Sequence, residues 1–490
     1  MVKMKRLSIL FAANLLAGLV HADNRPNIVI VMTDDLGWMD VGYHGSEIKT
    51  PRLDELAAKG LVLDQFRVQP TCSPTRASLL TGKSSLRLGV IRPIAKIQPK
   101  GLGIEETTVA EHLKEAGYQT FLAGKWHLGF ARSKYLPNQR GFDEFYGFVT
   151  GGIGYWDHVH GGGYDWQRDG VTLRESGYST ELIAKEAVRL IKDREKEKPL
   201  FLFASFNAPH LPNEAPPKAL AAASYIDDPL RQGHAAMIGE FDFGLGQIVD
   251  ALSEEGIINE TLIWFMSDNG GLNAHPGLGP MVPLARWIDD WLGSPAPSIL
   301  LEFIRTNALE GASSNGSYRR GKGSIYEGGV HVPSVIHWPE HIDPGRSASF
   351  ITVQDVTPTL LGIAGIGSKN AFDGVDHSAQ LVFDEKLAEI PDYFTSGNDG
   401  EAVYRWPWKL IANNDDHLEL YNLESDPYER HDQSSLENAM ANELQDVLIR
   451  APRGESIHVP FWKVLLDPDF FGGEEDRMPW ADTVVSGSTD

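Results

Sequence analysis

Residues 70–82 contain the side chains whose types and spacing are best suited to chemistry. Cys72 is the only cysteine among 490 residues. Ser73 followed by Pro74 is typical of a helix start, with a capping hydroxyl and then proline at the first helical position. Cys72 would then lie just before a helix N-terminus, where free N–H groups favour an anion, and Arg76 can point to the same place. A potential nucleophile and a fixed cation therefore meet there; the alternative is a buried, inert thiol.

Four predicted strands, at 26–32, 118–123, 199–206 and 261–266, each end in polar side chains. The residues that follow them are Asp34, Asp35, Lys125, His127, His210, Asp268 and Asn269. Predicted helices at 51–60, 107–116, 179–192 and 235–252 alternate with these strands. This order predicts an α/β fold with a mostly parallel sheet, in which the carboxyl ends of the strands meet at one edge. A single such residue would be read as a turn or a cap, but four successive strand ends indicate a site.

Four of these side chains offer hard oxygen ligands: Asp34, Asp35, Asp268 and Asn269. Clustered carboxylates raise each other's pKa unless a cation lies between them. An all-oxygen set suits Ca²⁺ or Mg²⁺ and disfavours zinc. Two unrelated Asp-rich turns are the alternative.

Basic residues lie in two further segments. Lys125 and His127 are two positions apart on a segment expected to be extended, so both side chains would face the site. Lys322 lies in the glycine-rich segment 319–330, where glycines allow the backbone to approach a ligand closely. A solvated basic turn is the alternative for this second segment.

The motif Cys72-Ser73-Pro74-Thr75-Arg76, followed by Leu80-Thr81-Gly82, resembles the signature of the formylglycine-dependent (type I) sulfatases. Segments 117–127 and 319–330 are similar to further motifs of that family, and the resemblance extends over about 25–430. Segments 35–38, 45–51 and 136–143 look most like the arylsulfatase B, or N-acetylgalactosamine-4-sulfatase, branch. The resemblance implies an alkaline-phosphatase-like fold, with a large mostly parallel sheet between helices. It also implies a smaller C-terminal subdomain with a short antiparallel sheet, around 402–411 and 418–423.

The resemblance also implies a mechanism. A formylglycine-generating maturation enzyme would oxidise Cys72 to an aldehyde, whose hydrate attacks sulfur. The implied ligands of a divalent cation, calcium rather than magnesium, are Asp34, Asp35, Cys72, Asp268 and Asn269. Asp268 would accept the attacking proton, while Arg76, Lys125 and Lys322 offset charge on the sulfuryl oxygens. His210 would protonate the leaving oxygen, and His127 would remove the second proton of the hydrate.

The expected substrate is a sulfated glycan, with a 4-sulfated galactose or N-acetylgalactosamine unit of carrageenan or chondroitin type. The residues expected to bind it are Lys125, His210, Lys322, Tyr155, Trp156, His158 and His160. The last four lie in segment 151–170, where rings and imidazoles suit sugar stacking, although an ordinary packed loop has the same composition. Segment 272–314 could form a wall or lid of the site, or pack elsewhere as an insertion.

Two other functions remain open from the sequence. One is a phosphate or phosphonate ester hydrolase of the same superfamily, against which the Asp34/Asp35 and Asp268/Asn269 pattern argues. The other is a non-catalytic glycan-binding protein on a sulfatase scaffold, which would keep an unmodified Cys72.

The amino-acid composition and the N-terminal segment restrict the location of the protein and the partners that it can bind. Lys3, Lys5 and Arg6 precede an apolar run at 7–20, which predicts a signal peptide cleaved near Ala22 and export to the periplasm or medium. No later run is long enough to suggest a membrane span. A net charge of −23 argues against nucleic acid as a partner, so an anionic substrate needs a local basic pocket. The predicted divisions are signal peptide 1–22, catalytic domain 23–380, and C-terminal subdomain with tail 381–490.

Overall fold

The computed structural model describes residues 25–459, except 96–97, 161–162, 273–310, 368–369, 386 and 388. The predicted signal peptide, most of segment 272–314 and the tail after Phe461 lie outside the described residues. Within the described ranges, no helix has both the length and the apolar character needed to cross a bilayer.

The strands are β1 (Asn27–Thr33), β2 (Leu61–Leu63), β3 (Phe66–Arg67), β4 (Gln119–Lys125), β5 (Glu144–Phe148), β6 (Val159–His160), β7 (Gly163–Tyr164), β8 (Gln167–Arg168), β9 (Val171–Thr172), β10 (Leu200–Ser205), β11 (Thr261–Ser267), β12 (Ser334–His337), β13 (Gly345–Ser347), β14 (Ile351–Thr352), β15 (Tyr393–Gly397), β16 (Gly400–Arg405), β17 (Trp408–Asn413) and β18 (Leu418–Asn422). The α-helices are α1 (Pro51–Lys59), α2 (Cys72–Thr81), α3 (Ser85–Leu88), α4 (Val109–Glu115), α5 (Ser179–Asp193), α6 (Pro217–Ala222), α7 (Pro229–Glu254), α8 (Glu327–Val330), α9 (Val356–Ile363), α10 (Ser378–Phe383) and α11 (Asn438–Ile449). Short 3₁₀ turns occur at Trp38–Asp40, Gly42–His44, Ser133–Tyr135, Pro137–Gln139, Ile258–Glu260 and Val353–Asp355.

The main sheet has ten strands in the order β13-β2-β12-β11-β1-β10-β4-β5-β8-β9. Its centre is parallel, since β1 pairs with β10 and β11, and β4 pairs with β10 and β5, all in the same direction. Toward the margins, β12 runs antiparallel to β11, and β8 runs antiparallel to β5. All seven residues of β1 are buried, as its continuous apolar sequence predicts for a strand covered on both faces. The predicted α/β fold is confirmed.

Helices cover both faces of this sheet because the side chains of β1 alternate between two cores. Ile28 and Ile30 pack into one core, with Leu79 of α2. Val29 and Val31 pack into the other, which includes buried residues of α1, α5 and α7. The arrangement is the three-layer architecture expected when βαβ units repeat along a chain.

A separate antiparallel sheet, in the order β15-β16-β17-β18, forms near the C-terminal end of the described residues. One face, with Tyr404 and Ile411, packs against Ile325 and Phe350 of the preceding chain. The other face packs against α11. This confirms the antiparallel strands expected there, while the domain boundary at 381 stays a prediction.

Two helix starts differ from the sequence prediction. Helix α2 begins at Cys72, after Thr71 at the cap position, so Ser73 does not cap it. Instead the Ser73 hydroxyl donates to the carbonyl of His127 (2.9 Å) and accepts from the amide of Ile94 (3.0 Å). Helix α7 begins at Pro229, several residues before the predicted start at 235. Its first turn is set by proline and by the Asp228 side chain, which accepts from a backbone amide of that turn.

Candidate active site

The sheet order brings the predicted site residues together, because β11, β1, β10 and β4 are neighbours and run parallel. Asp34 and Asp35 follow β1, and Asp268 and Asn269 follow β11. His210 lies beyond the end of β10, and Lys125 is the last residue of β4. All of these residues therefore lie at one edge of the sheet, as predicted.

Three carboxylates and the thiol form one buried cluster. Single ligand atoms of Asp34, Asp35, Cys72 and Asp268 all lie within 4.8 Å of one another. The side-chain amide of Asn269 donates to Asp35 Oδ1 at 2.7 Å, while its own oxygen, Oδ1, is buried with no hydrogen-bond partner among the described residues. A buried, unpaired amide oxygen beside three carboxylates is a donor set that fits a hard divalent cation such as Ca²⁺ or Mg²⁺.

The electrostatics of the carboxylates differ within this cluster. Burial, reinforced by the charge of Asp34, raises the pKa of Asp268 to about 6. Burial is also the largest influence on Asp35 and works to raise its pKa, but the Lys322 ammonium, together with His210 and the hydrogen bond from Asn269, holds that pKa below its usual range. The cluster is therefore balanced by cations of the protein itself.

Three buried or half-buried cations surround the cluster. Lys125 Nζ lies 2.6 Å from Asp34 Oδ2, and Lys322 Nζ lies 2.7 Å from Asp35 Oδ1. The guanidinium of Arg76 donates from Nε and Nη2 to Asp268 Oδ2, at 3.1 and 3.0 Å. Each cation is paired with one carboxylate, so the six side chains carry no net charge, and a divalent cation held among them would give the pocket the positive charge that an anionic substrate requires.

Cys72 is the first residue of α2 and is 2% exposed. Its Sγ lies 3.5 Å from Asp34 Oδ1. Burial, and then the carboxylate of Asp268, raise the pKa of the thiol well above its usual value. Since the thiolate is the reactive form of cysteine, the unmodified side chain is a poor nucleophile in this position.

The tautomer of His210 follows from its backbone contact. Nδ1 lies 2.8 Å from the carbonyl of Leu211, which can only accept, so Nδ1 carries a hydrogen. Nε2 then faces Asp35, at 3.8 Å from Oδ2. Burial, and then the charge of Lys322, lower the pKa of His210 to about 3. The ring is therefore neutral at neutral pH, with its lone pair on Nε2.

His127 lies in the same pocket, but its backbone is not extended as the sequence predicted. Its φ of 61° is in the left-handed region, because the chain turns sharply after β4. Nε2 lies 3.2 Å from the carbonyl of Ile94, while Nδ1 is buried without a partner in the described part of the chain. Burial, and then the charge of Lys125, lower the pKa of His127. The ring thus presents an unpaired acceptor at Nδ1.

The loop at 151–160 lines the site with backbone as well as rings. A Cβ on Gly151 would meet the ring of His127 at 2.8 Å, and one on Gly152 would meet the ring of His210 at 2.8 Å. These close approaches leave room only for glycine. The loop therefore packs directly against both site histidines.

The four ring residues predicted to bind sugar lie in different environments. Tyr155 is buried, and its hydroxyl lies 3.0 Å from the carbonyl of Asn207 and 2.7 Å from that of His210. His158 is also buried and stacks on Trp166 at 4.5 Å. Both rings are enclosed by the protein in this structure, and their contact with a sugar stays a prediction. Trp156 is 48% exposed, and His160 is partly exposed, with Nδ1 in contact with the Gly152 carbonyl.

Sequence reasoning missed two serines that support the site. Ser205 Oγ lies 2.6 Å from Arg76 Nη1. Ser267 Oγ accepts from the amide of Leu36 (3.1 Å) and donates to the carbonyl of Asn269 (2.9 Å). Both serines are the last residues of parallel strands, β10 and β11, so the strand-end argument could have included them.

Buried cations at the carboxyl edge of a parallel sheet characterise an α/β enzyme that binds an anionic group. The chain belongs to the sulfatase family, whose family model matches residues 26–366. It is accordingly a sulfuric ester hydrolase, and the two alternative functions left open by the sequence are not favoured.

Three relatives illustrate the similarity. Arylsulfatase J of Mus musculus is 29% identical over 476 residues, which cover 84% of this chain and 73% of that protein. N-acetylgalactosamine-6-sulfatase of Mus musculus is 30% identical over 436 residues, covering 82% and 76%. The solved structure of Ps i-CgsB in complex with k-i-k-neocarrahexaose has a TM-score of 0.77 and 28% identity, covering 88% of this chain and 94% of that one. The sulfatase fold of such relatives confirms the expected architecture, while the 4-sulfatase branch stays a prediction.

Proposed function

We propose that this enzyme removes sulfate from a sulfated glycan, at a 4-sulfated galactose or N-acetylgalactosamine unit of carrageenan or chondroitin type. It would use formylglycine made from Cys72 by a maturation enzyme, together with a calcium ion. The observation that carries the proposal is the convergence of Cys72, three carboxylates and three cations within one buried cluster. A sulfate monoester brings negative charge to this point, and the cations offset it.

Different side chains of the cluster would have different roles in the reaction. Lys125 and Lys322 would bind the sulfuryl oxygens, since both ammonium groups already face the cluster. Arg76 would fix the orientation of Asp268 through its two hydrogen bonds, so that this carboxylate accepts the proton of the attacking group. Addition of water to an aldehyde formed at Cys72 would give a geminal diol, and one hydroxyl of this hydrate would be the nucleophile that attacks sulfur. Its position at the start of α2 also favours an anionic product.

The histidines would transfer protons at defined atoms. Because Nδ1 of His210 donates to a carbonyl, a proton donated to the leaving sugar oxygen must come from Nε2 of the imidazolium form. Binding of the anionic sulfate ester favours that form by offsetting the nearby lysine charges. Nδ1 of His127 is the unpaired acceptor that would remove the second proton.

Asp34, Asp35, Asp268 and Asn269 would hold calcium. All four offer oxygen atoms, and the unpaired Oδ1 of Asn269 completes the set. A calcium ion supplies Lewis-acid stabilisation of charge on the sulfuryl group. The nitrogen and sulfur ligands that zinc prefers are few here, since the thiol is the atom that maturation replaces.

Two observations support a glycan as the substrate. The relatives include an N-acetylgalactosamine-6-sulfatase and a structure in complex with a carrageenan-type hexasaccharide. Trp156 also presents an exposed ring on the loop that packs against His210, next to Tyr155, whose hydroxyl contacts the His210 carbonyl. An exposed ring beside the leaving-group side of a site suits stacking on a sugar face.

The test is free sulfate release from a panel of carrageenan and chondroitin oligosaccharides of defined sulfate position. The protein is produced with a formylglycine-generating enzyme, and peptide mass spectrometry measures the conversion of Cys72. We expect release from 4-sulfated units, loss of release on chelation, and recovery with calcium rather than zinc. Cys72→Ser, produced in the same way, is the matched control without maturation.

The sulfate position, the formylglycine and the metal can each be contradicted by a separate result. Release from 6-sulfated units alone would contradict the sulfate position. Unmodified Cys72 in an active preparation would contradict the formylglycine assignment, as would full activity of Cys72→Ser. Activity that resists chelation would contradict the metal.

A further inference from the structure

We propose that Asp399, in the turn between β15 and β16, is a positioning residue for Lys322. The inference rests on the role proposed above for Lys322 in binding the sulfuryl group. It assigns the C-terminal sheet a part in the reaction, although that sheet contributes no side chain to the cluster around Cys72.

Asp399 holds the loop that carries Lys322 through three contacts. Its Oδ1 accepts from the amide of Ile325 at 3.0 Å. Its Oδ2 accepts from the hydroxyl of Ser324 at 2.5 Å and lies 3.4 Å from Nη1 of Arg320. The carboxylate thus contacts the loop on both sides of Lys322, and a charged acceptor strengthens each bond.

Gly323, the next residue after Lys322, is fixed between two parts of the chain. Its amide donates to the carbonyl of Pro70 at 2.7 Å, and its carbonyl accepts from the amide of Asn398 at 2.7 Å. Its φ is +85°, and a Cβ there would approach Asn398 Nδ2 to 2.5 Å. The loop therefore lies between the segment leading into Cys72 and the turn that carries Asp399.

The position of the Lys322 ammonium depends on this backbone. The amide of Lys322 donates to the carbonyl of Gly271 at 3.1 Å, and its Nζ reaches Asp35 at 2.7 Å. A lysine side chain is flexible, so a fixed backbone is what confines its charge to one place. A displacement of about 1 Å at a charge that binds the reacting group is enough to lower the rate strongly.

Other contacts hold the C-terminal sheet itself in place, so a change at Asp399 acts locally. Glu327 accepts from Lys409 Nζ at 2.9 Å and from the hydroxyl of Tyr404 at 2.9 Å. Glu419 accepts from the hydroxyl of Tyr326 at 2.6 Å. These contacts do not involve Asp399 and remain when its carboxylate is changed.

The variants are Asp399→Asn, Lys322→Ala and the double variant, with Glu401→Gln as the matched control. Asparagine keeps the size of Asp399 but replaces one acceptor oxygen with a donor. Glu401 lies two residues further on in the same hairpin, where it pairs with Arg453. Two quantities are measured on the full-length, matured enzyme: hydrogen exchange of the peptide containing 321–325, and kcat/KM for a small aryl sulfate, 4-nitrophenyl sulfate.

We expect faster exchange in Asp399→Asn than in the wild type or Glu401→Gln, and a fall in kcat/KM of about tenfold. The fall should disappear in the Lys322→Ala background, because a positioning residue has nothing left to position. Unchanged exchange in Asp399→Asn, or an equal fall in the Lys322→Ala background, would overturn the inference alone. Wild-type activity of Lys322→Ala would instead remove the role proposed for Lys322, and the inference with it.

Discussion

The single guanidinium of Arg76 links three elements of the site. It contacts Asp268 after β11, the carbonyl of Lys125 at the end of β4, and Ser205 at the end of β10. Both partners of its ion pair are fully buried. A buried ion pair of this kind fixes the orientation of its side chains more than it stabilises the fold, because each ion loses its hydration on burial.

Replacing Arg76 with Ala should therefore be strongly destabilising, since it leaves the buried Asp268 carboxylate without its ion-pair partner. We expect a loss of about 3–5 kcal/mol in the free energy of unfolding, measured by urea denaturation. Lys185→Ala, which breaks an exposed pair with Glu181, is the control and should cost less than about 1 kcal/mol. Equal losses in the two variants would show that burial of the Arg76 pair has no energetic consequence.

The exposed ring of Trp156 gives a second prediction for a single residue. Trp156→Ala should raise KM for a glycan substrate roughly three- to tenfold, the value of one aromatic contact, and leave kcat/KM for a small aryl sulfate unchanged. Phe243→Ala, an exposed ring on α7, is the matched control. Equal effects on the glycan and the aryl sulfate would contradict sugar stacking.

The chemistry of single residues was predictable where a strand end fixed their position. Asp34 and Asp268 follow buried strands, so their place at the sheet edge came from the sequence alone. The inward orientation of the Tyr155 and His158 rings was not predictable from the sequence, because in an irregular loop the residue type does not decide which rings point inward. The left-handed backbone of His127 has no sequence signal either, since it is imposed by packing after β4.

At the scale of elements, the loop at 151–154 sets the distance between its backbone and the two site histidines. Gly152→Ala would bring a methyl group to 2.8 Å from the ring of His210 and force the ring to move. We expect kcat/KM to fall at least tenfold, because the ring of His210 is displaced, while the midpoint of thermal unfolding changes little, because the substitution removes no side chain from the core.

The control for that change is Gly239→Ala in the interior of α7. Apart from the neighbouring residues and backbone of its own helix, no heavy atom of the described residues lies within 4 Å of the added Cβ there. The helix gains alanine in place of glycine, so stability should rise by about 0.5–1 kcal/mol with unchanged activity. Full activity of Gly152→Ala would show that His210 has room to adjust.

Helices and strands were predictable from the sequence where the pattern that indicates them lies within the segment itself. Buried strands and amphipathic helices appeared at the expected places, with boundaries displaced by capping residues such as Asp228. The attachment of the C-terminal sheet to the Lys322 loop was not predictable. Asp399 and Ser324 are 75 positions apart in the chain, and nothing in either neighbourhood indicates their hydrogen bond.

At the scale of the whole molecule, the layers of the fold are joined by buried polar contacts as well as by the two cores. Asp242 on α7 accepts from the amides of Arg52 (3.1 Å) and Leu53 (2.8 Å) at the start of α1. The carboxylate thus satisfies the free amides of one helix from the side of another. Its burial between two helices links the stability of this layer to pH.

Burial raises the pKa of Asp242 from 3.8 to about 6. The folded protein therefore binds a proton more tightly than the unfolded chain, and the contribution of this group to stability is full below about pH 4. It is lost as pH rises through 6, by about 2–3 kcal/mol.

Asp242→Asn is neutral at every pH, so the free energy of unfolding of the wild type minus that of the variant should fall by this amount between pH 4 and 7. Urea denaturation at intervals across that range measures the difference. Asp242→Ala, also neutral but unable to accept the two amides, should show the same pH dependence with an added constant loss. A difference that stays constant with pH would mean that the carboxylate of Asp242 is as well stabilised in the protein as in water.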